Sequence, residues 1–304
     1  MQGLQNLGST CAINTLIQLI CRTKLLRENL LSEHVQPNTF SGELKEILDL
    51  MHNQNHSLQP KKFVNKLYSY LQIFNRGEQI DIGELWMFLF EKIANELNTE
   101  RYNVNYVNSI HHPLNEKCIE IMEKINNKKS SLWQVNCQGI ILSTVTCTQC
   151  NNKIHNFEPF ISLPLDIHEN NNSIVDMFKA FLKTTEHQGD WRCEHCNDFT
   201  KYKKQQQLWK VPKVLIFLIK RFNDFYQKNS LCIHVNTDLQ INNISYNYVG
   251  SGNHYGNLFG GHYCALCKVD KQYILYDDLN VSIIDEGKFQ TFAKDTYLLF
   301  YEIA

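Results

Sequence analysis

A cysteine lies at a position where a helix is predicted to begin. In the segment GLQNLGSTCAINTLIQ, Ser9 or Thr10 is a suitable N-cap for a helix whose apolar residues recur with a period of about 3.6 residues. Cys11 would lie in the first turn, where the helix dipole and unpaired amides favour a nucleophilic thiolate. Asn6, five residues earlier, carries an amide that can stabilise an oxyanion. Free cysteines are often buried and inert, and this segment alone leaves that alternative open.

A thiol hydrolase also needs a base, and His262 is set apart from the other histidines by its neighbours. It follows Gly260 and Gly261, which permit close approach of another backbone, and it precedes a predicted strand. Asp277 and Asp278 stand at the end of the next predicted strand. A hairpin of these two strands would place Asp277 beside His262, which gives a thiol triad in the chain order Cys, His, Asp. An ordinary structural strand histidine is the alternative.

Two CxxC pairs separated by 42 residues have the spacing of metal-binding knuckles. They are Cys147 with Cys150, and Cys193 with Cys196. Four thiolates form a closed tetrahedral site for a structural Zn²⁺ ion, and a redox CxxC motif, which needs only one pair, is the competing interpretation. A third pair, Cys264 and Cys267, lies in a strand pattern that would point the two side chains to opposite faces, so we interpret its spacing as coincidental.

The order of predicted elements indicates the fold class. The chain has 304 residues, enough for one large domain or two ordinary ones. Apolar residues at helical spacing dominate the first ~125 residues. From Gln134 the residues become β-branched and partly alternating, beginning with WQVNCQGIILSTVTC, and one helix from about Ile174 to Lys183 interrupts the predicted strands. Helices first and strands later indicate an α+β fold.

Composition argues against several classes of protein. The 30 basic residues nearly balance the 31 acidic ones, so we expect no nucleic-acid partner and no membrane-surface partner. The first apolar run is short and lacks a basic leader, which argues against a signal peptide, and no apolar run is long enough to span a membrane. Eleven cysteines without a secretory signal indicate reduced thiols. We therefore expect a cytoplasmic or nuclear protein.

Six segments, in order, resemble motifs of the ubiquitin-specific proteases, a papain-like class of deubiquitinating enzymes. GLQNLGSTCAINTLIQ resembles the cysteine box GLxNLGNTCYMNSxLQ, and GGHYCALCK with YDD resembles the histidine box. QIDIGEL is similar to the QQDAxEF segment, and TCTQC through CEHC is similar to the zinc-bearing fingers. VPKVLIFLIKRF and TYLLFYEI resemble two strands of the family. The resemblance covers nearly the whole chain.

The resemblance implies a papain-like cysteine protease fold with a thumb, a palm and zinc-bearing fingers. We expect a single catalytic domain over residues 1–304. Approximate subregions would be a helical thumb at 1–125, fingers at 132–205 and a palm β-sheet at 206–304. Such a domain would act as a monomer.

The family's catalytic roles transfer to matching positions. Cys11 would be the nucleophile, His262 the base, Asp277 the residue that orients it, and Asn6 the oxyanion donor. Asp278 matches a position that supports the oxyanion or a bound water in some family members. The resemblance thus implies a thiol hydrolase that cleaves after the C-terminal glycine of ubiquitin, with ubiquitin and ubiquitinated proteins as partners.

Four further residues match substrate-binding positions. Asp81 and Glu84 match acidic residues that grip the basic tail of ubiquitin, which needs carboxylates along its path. Gly260 and Gly261 would line a slot that admits only the two terminal glycines. Three alternatives stay open: a ubiquitin-binding scaffold with weak or no activity, a protease for a related modifier, and a zinc-ribbon nucleic-acid binder, which the near-neutral charge disfavours.

Overall fold

Helices dominate the N-terminal part of the chain. The computed structural model describes residues 2–53, 58–98, 106, 112–169, 172–223, 227–257 and 260–304. The helices before the first strand are α1 (Cys11–Arg22), α2 (Lys24–Ser32), α3 (Phe40–Asn53), α4 (Lys61–Tyr70), α5 (Ile82–Glu96), α6 (Asn115–Asn126) and α7 (Leu132–Cys137). Later in the chain come α8 (Ile174–Phe181), a 3-10 turn (Glu286–Lys288) and α9 (Phe289–Ala293). Among the described helices, none combines the length and the apolar character needed to cross a membrane.

The strands follow from residue 139 onward. They are β1 (Gly139–Cys147), β2 (Lys153–Phe160), β3 (Leu163–Asp166), β4 (Thr185–Cys193), β5 (Asp198–Lys210), β6 (Val214–Lys220), β7 (Asp238–Ile241), β8 (Ile244–Gly256), β9 (Gly261–Val269), β10 (Gln272–Asp277), β11 (Asn280–Ile284) and β12 (Thr296–Ile303). Helices come first and strands later, so the α+β prediction is confirmed.

One part of the strand prediction was wrong. The segment that begins WQVNCQ forms α7, and the strand begins only at Gly139. A capping box explains the difference: the Ser131 hydroxyl accepts a hydrogen bond from the Gln134 amide, and the Gln134 side chain accepts one from the Ser131 amide. The S-x-x-Q spacing is visible in the sequence, and it outweighs the β-branched character of the residues that follow.

The described strands form two sheets. A four-stranded antiparallel sheet has the order β2-β1-β5-β4. The other has eight strands among the described residues, ordered β11-β10-β9-β8-β12-β6-β3, with β7 paired to β8. Its only parallel pair among those residues is β3 with β6. The four-stranded sheet carries the two CxxC pairs, and the eight-stranded sheet carries His262.

The largest core joins the helices to the eight-stranded sheet. Leu16 and Ile20 of α1 are fully buried in the same cluster as Ala265 and Cys267 of β9. Burying a leucine or isoleucine side chain contributes roughly 1.5–3 kcal/mol each, so this layer holds α1 firmly against the sheet. Because α1 begins with Cys11 and β9 begins next to His262, this packing sets the position of one candidate catalytic residue relative to the other.

Candidate active site

Cys11 is the first residue of α1 and is only 5% exposed. Thr10 is the N-cap residue, but its side chain does not cap the first turn, contrary to the expectation for Ser9 or Thr10. Its hydroxyl instead accepts a hydrogen bond from the Leu7 amide at 2.8 Å and donates one to Asn6 Oδ1 at 3.2 Å. The amides of the first turn therefore remain available beside the sulfur, where they can favour a thiolate or bind an oxyanion.

His262 and Asp277 meet across the β9–β10 pair. His262 Nε2 lies 2.5 Å from Asp277 Oδ1, which leaves Nδ1 for another partner. A hydrogen bond with Cys11 is the largest influence on the imidazole, and together with the bond to Asp277 it raises the His262 pKa to about 9, although burial acts in the opposite direction. The structure thus brings the three predicted triad residues together, in an arrangement that favours an imidazolium next to sulfur.

Asn6 is held by its side-chain oxygen. Asn6 Oδ1 accepts hydrogen bonds from the Gly8 amide, the Thr10 amide and the Thr10 hydroxyl at 3.0–3.2 Å. The amide nitrogen therefore faces the other way, and it donates to Asp278 Oδ2 at 2.9 Å. One of its two N–H bonds is used by this contact, so the second is free for an oxyanion. The structure thus brings Asn6 and Asp278 together.

Asn14 also belongs to this network, and the sequence interpretation missed it. Its Nδ2 donates to Asp278 Oδ1 at 2.7 Å. Asn14 is 2% exposed and lies three residues after Cys11 on the buried side of α1. A polar residue on the buried side of a helix, close in sequence to a candidate nucleophile, is the signal that could have identified it.

A cleft of about 690 Å³ lies beside these residues. Its walls include Asp81, Glu84, His254, Tyr263 and Tyr297. Tyr263 directly follows His262 in β9, so one wall of the cleft belongs to the strand that carries the candidate base. This shape suits an extended peptide that enters between helix and sheet.

The two predicted acidic residues differ in their surroundings. Asp81 caps α5, accepting a hydrogen bond from the Glu84 amide at 2.9 Å, and its other oxygen accepts one from the Tyr297 hydroxyl at 2.6 Å. Glu84 is exposed, and its carboxylate makes no hydrogen bond or ion pair with the described residues. Glu84 is therefore the carboxylate available to a cationic ligand, whereas Asp81 mainly shapes the cleft.

The two predicted glycines also differ. Gly261 is fixed by Gln79, whose side chain accepts from the Gly261 amide at 2.8 Å and donates to its carbonyl at 2.5 Å. A Cβ atom at Gly261 would lie 2.2 Å from His254 Nε2, so only glycine fits there. A Cβ atom at Gly260 would meet nothing within 4 Å. Gln79 was not identified from the sequence, because only a folded chain brings it next to β9.

The four predicted metal ligands come together in the four-stranded sheet. The sulfur atoms of Cys147 and Cys196 are 3.9 Å apart, and those of Cys150 and Cys193 are 3.7 Å apart. All four sulfurs lie within 4.8 Å of one another, so the group can hold a metal ion. Four sulfurs at a Zn–S distance of about 2.3 Å have tetrahedral edges of about 3.8 Å, which fits this spacing.

Local structure explains how the cysteines converge. Each CxxC pair is followed by an asparagine with positive φ, Asn151 at 59° and Asn197 at 55°, a conformation that asparagine tolerates well. A thiol so close to other sulfur atoms is hard to ionise. The hydrogen bond with Cys150 is the main reason that the Cys196 pKa is raised to about 12. A divalent cation among the sulfurs would remove this conflict.

Comparisons with known proteins agree on one family. A family model described as ubiquitin carboxyl-terminal hydrolase matches residues 2–301. Human ubiquitin carboxyl-terminal hydrolase 2 is 28% identical over 336 residues, which cover 100% of this chain and 55% of that protein. Ubiquitin carboxyl-terminal hydrolase 4 of Arabidopsis thaliana is 27% identical, over 99% of this chain and 92% of that protein. The chain thus spans about half the length of the mammalian relatives it matches.

Solved structures show the same fold. The SAGA DUB module of Ubp8, Sgf11, Sus1 and Sgf73, bound to monoubiquitin, contains a chain with a TM-score of 0.78 and 23% identity, covering 100% of this chain and 69% of that one. A yeast SAGA DUB module that carries a mutant Sgf73 gives a TM-score of 0.79 and 24% identity, with 100% and 68% covered. At this level of identity the likeness concerns the fold alone.

Proposed function

Because this chain belongs to the ubiquitin carboxyl-terminal hydrolase family, we propose that it is a cysteine deubiquitinase. It would hydrolyse the isopeptide or peptide bond after the C-terminal glycine of ubiquitin and so remove ubiquitin from protein conjugates. The observation that carries the proposal is the position of His262, which is hydrogen-bonded to Asp277 and close enough to Cys11 for the thiol to raise the His262 pKa. A protein that only binds ubiquitin would not need this arrangement.

The proposed reaction has two steps. The Cys11 thiolate attacks the carbonyl carbon of the terminal glycine, and Asn6 Nδ2 with a first-turn amide of α1 stabilises the oxyanion. The His262 imidazolium gives its proton to the leaving amine, and a thioester forms. His262 then takes a proton from water, which attacks the thioester and releases ubiquitin with a free carboxylate. Asp277 keeps the imidazole in position through both steps.

The cleft would receive the tail of ubiquitin. The exposed Glu84 carboxylate would pair with a cationic side chain of the tail, and Gly261 would lie beside the glycines at the end of the tail. The solved relative bound to monoubiquitin supports ubiquitin as the partner. Each of the eleven cysteines, all within the described residues, is unpaired, which supports action in the reducing cytoplasm or nucleus.

Covalent capture tests the activity directly. Ubiquitin with a C-terminal propargylamide should form an adduct with the wild-type protein, and mass spectrometry should place it on Cys11. Cys11→Ser should form none, whereas Cys232→Ser, which changes an exposed cysteine elsewhere, should react normally. The wild type should also cleave isopeptide-linked di-ubiquitin. Tight binding of ubiquitin without adduct or cleavage would favour a scaffold, and reaction only with a related modifier would reassign the substrate.

We propose that the four clustered cysteines hold a structural Zn²⁺ ion. The sulfur spacing and the tetrathiolate donor set support zinc, which would tie the ends of β1, β4 and β5 together. Elemental analysis of purified protein should find about one zinc per chain. Cys147→Ser should lose it and unfold at a lower temperature, since structural zinc contributes directly to folding, while Cys232→Ser should keep it. A metal-free wild type of unchanged stability would refute the assignment.

A further inference from the structure

We propose that Asn14 is a positioning residue that fixes the oxyanion donor relative to the nucleophile. The inference rests on the proposed hydrolase function. Asn14 does not reach the reacting atoms itself. It acts through Asp278, which in turn holds Asn6.

The contacts form one chain from helix to donor. Asn14 Nδ2 donates to Asp278 Oδ1 at 2.7 Å, and Asn6 Nδ2 donates to Asp278 Oδ2 at 2.9 Å. The Asp278 carboxylate thus lies between two amides, each bound to a different oxygen. Hydrogen bonds to a charged acceptor are stronger than those between neutral groups, so this bridge resists displacement.

The bridge links three separate parts of the chain. Asp278 stands in the turn between β10 and β11 with a φ of 51°, and Asn6 stands in the loop before α1. Asn14 lies on α1 itself, about one turn after Cys11. A rigid helix therefore carries both the nucleophile and the anchor of the carboxylate that holds the oxyanion donor. Without Asn14, the β10–β11 turn could shift relative to Cys11 and take the Asn6 amide with it.

Packing alone does not explain an asparagine at this position. Asn14 is 2% exposed, and its Oδ1 accepts no hydrogen bond from the described residues. A buried acceptor without a partner destabilises the fold, and an apolar side chain would avoid that cost. The hydrogen bond from its amide nitrogen to Asp278 therefore explains why an asparagine stands at this position. Its second contact, to the Leu4 carbonyl at 3.3 Å, only attaches the N-terminal segment.

Gln18 provides a matched control for that second contact. It lies one turn further along α1, is also 2% exposed, and donates to the Gln2 carbonyl at 2.8 Å. Like Asn14, it leaves its side-chain oxygen, Oε1, without a partner among the described residues. No hydrogen bond in the described part of the chain joins it to Asp278. Gln18→Ala thus removes a buried amide that attaches the same segment, without touching the proposed bridge.

Two ubiquitin derivatives separate positioning from structure. With ubiquitin aldehyde, the Cys11 sulfur bonds to the aldehyde carbon and the carbonyl oxygen becomes the oxyanion, so affinity depends on the Asn6 donor. With ubiquitin propargylamide, the sulfur forms a vinyl thioether and no oxyanion arises. Asn14→Ala should lower kcat and aldehyde affinity by roughly 10- to 100-fold, as expected for a displaced donor. KM and the rate of propargylamide labelling should change little, and Gln18→Ala should leave all four measurements near wild type.

A double-mutant cycle keeps the proposal falsifiable if Asn14→Ala folds poorly. Asn14→Asp keeps the size but turns an acceptor toward the Asp278 carboxylate, so it should lower kcat further than Asn14→Ala. In an Asp278→Ala background, Asn14→Asp should have almost no additional effect on kcat, because the bridge and the carboxylate that it would repel are already absent. Additive effects, or equal losses with both derivatives, would overturn the role of Asn14. An inert wild type would instead refute the proposed hydrolase.

Discussion

The protonation state of His262 sets the pH range of the proposed reaction. Cys11 and, to a smaller extent, Asp277 raise its pKa from the ordinary 6.5 to about 9. Because the folded pKa lies above the unfolded one, the pair stabilises the fold fully below pH 6.5, and this stabilisation is lost as pH rises through about 9. The imidazolium needed to protonate the leaving amine disappears over the same upper range, so kcat/KM should fall above about pH 9.

Asp277→Asn should move this alkaline limb to lower pH. It should not move the limb the whole way to 6.5, since the larger influence, that of Cys11, remains. A pH profile of kcat/KM with a ubiquitin C-terminal fluorogenic substrate measures the shift. An unchanged alkaline limb in the variant would show that the contact between His262 and Asp277 does not set this part of the pH profile.

Glu84 should contribute to substrate binding more than to chemistry. It is exposed and has no described partner, so a cationic residue of the ubiquitin tail can pair with it without displacing another contact. Glu84→Gln should raise KM roughly two- to fivefold with little change in kcat, as expected for an exposed ion pair. High salt should reduce the difference. Glu91→Gln on the same helix is the control, because Glu91 is also exposed but does not line the cleft; an equal rise in KM there would refute specific pairing.

At this scale, sequence motifs and spacing indicated the residues that carry reactive atoms. Cys11, His262 and Asp277 stand in motifs, and their chemistry requires those residue types. Asn14 and Gln79 also stand in the quoted motifs, but their roles were not predicted, because each acts through a contact with a residue far away in the sequence. Such contacts exist only once α1, the loop before α5 and the eight-stranded sheet have come together.

Gly261, at the start of β9, packs closely against the side chain of His254. Gly261→Ala should lower kcat/KM strongly, because its Cβ would lie 2.2 Å from the ring of the buried His254 and would push the strand away. His262 is the next residue, so the imidazole would move with the strand. Gly260→Ala is the matched control, since a Cβ there meets nothing within 4 Å. Thermal unfolding and kcat/KM of both variants test this, and equal behaviour of the two would contradict the explanation.

Helices and strands can be predicted from the sequence where residue periodicity and capping residues determine them. The 3.6-residue period predicts α1 and α5, whereas the β-branched character of the segment around α7 predicts a strand, and the capping box at Ser131 decides for a helix. The pairing of β3 with β6 could not be read from the chain order. β3 lies between β2 and β4 in sequence, yet β2 and β4 belong to the four-stranded sheet. Such pairings depend on which apolar faces are buried together in the folded chain. The residue pattern of a single sequence does not contain this information.

At the scale of the whole molecule, the nucleophile and the base lie on different layers. Cys11 begins a helix of the N-terminal part, and His262 lies on the eight-stranded sheet, so their distance depends on how tightly the two layers pack. Gly252 of β8 lies at this interface. A Cβ atom there would be 3.0 Å from the Ile82 side chain of α5 and 3.2 Å from that of Thr15 on α1. Glycine therefore allows the helices to approach the sheet.

Gly252→Val should separate the layers and so impair the reaction more than the fold. Overpacking of this kind costs about 1–3 kcal/mol, which should lower the unfolding temperature but leave most molecules folded at about 25 °C. The helix that carries Cys11 would move away from β9, which weakens the contact that raises the His262 pKa, so kcat should fall and the alkaline limb should shift to lower pH. Gly287→Val is the control, because a Cβ at Gly287 meets nothing within 4 Å. If Gly252→Val lost stability but kept its kcat and pH profile, packing of the helices on the sheet would not be what aligns the triad.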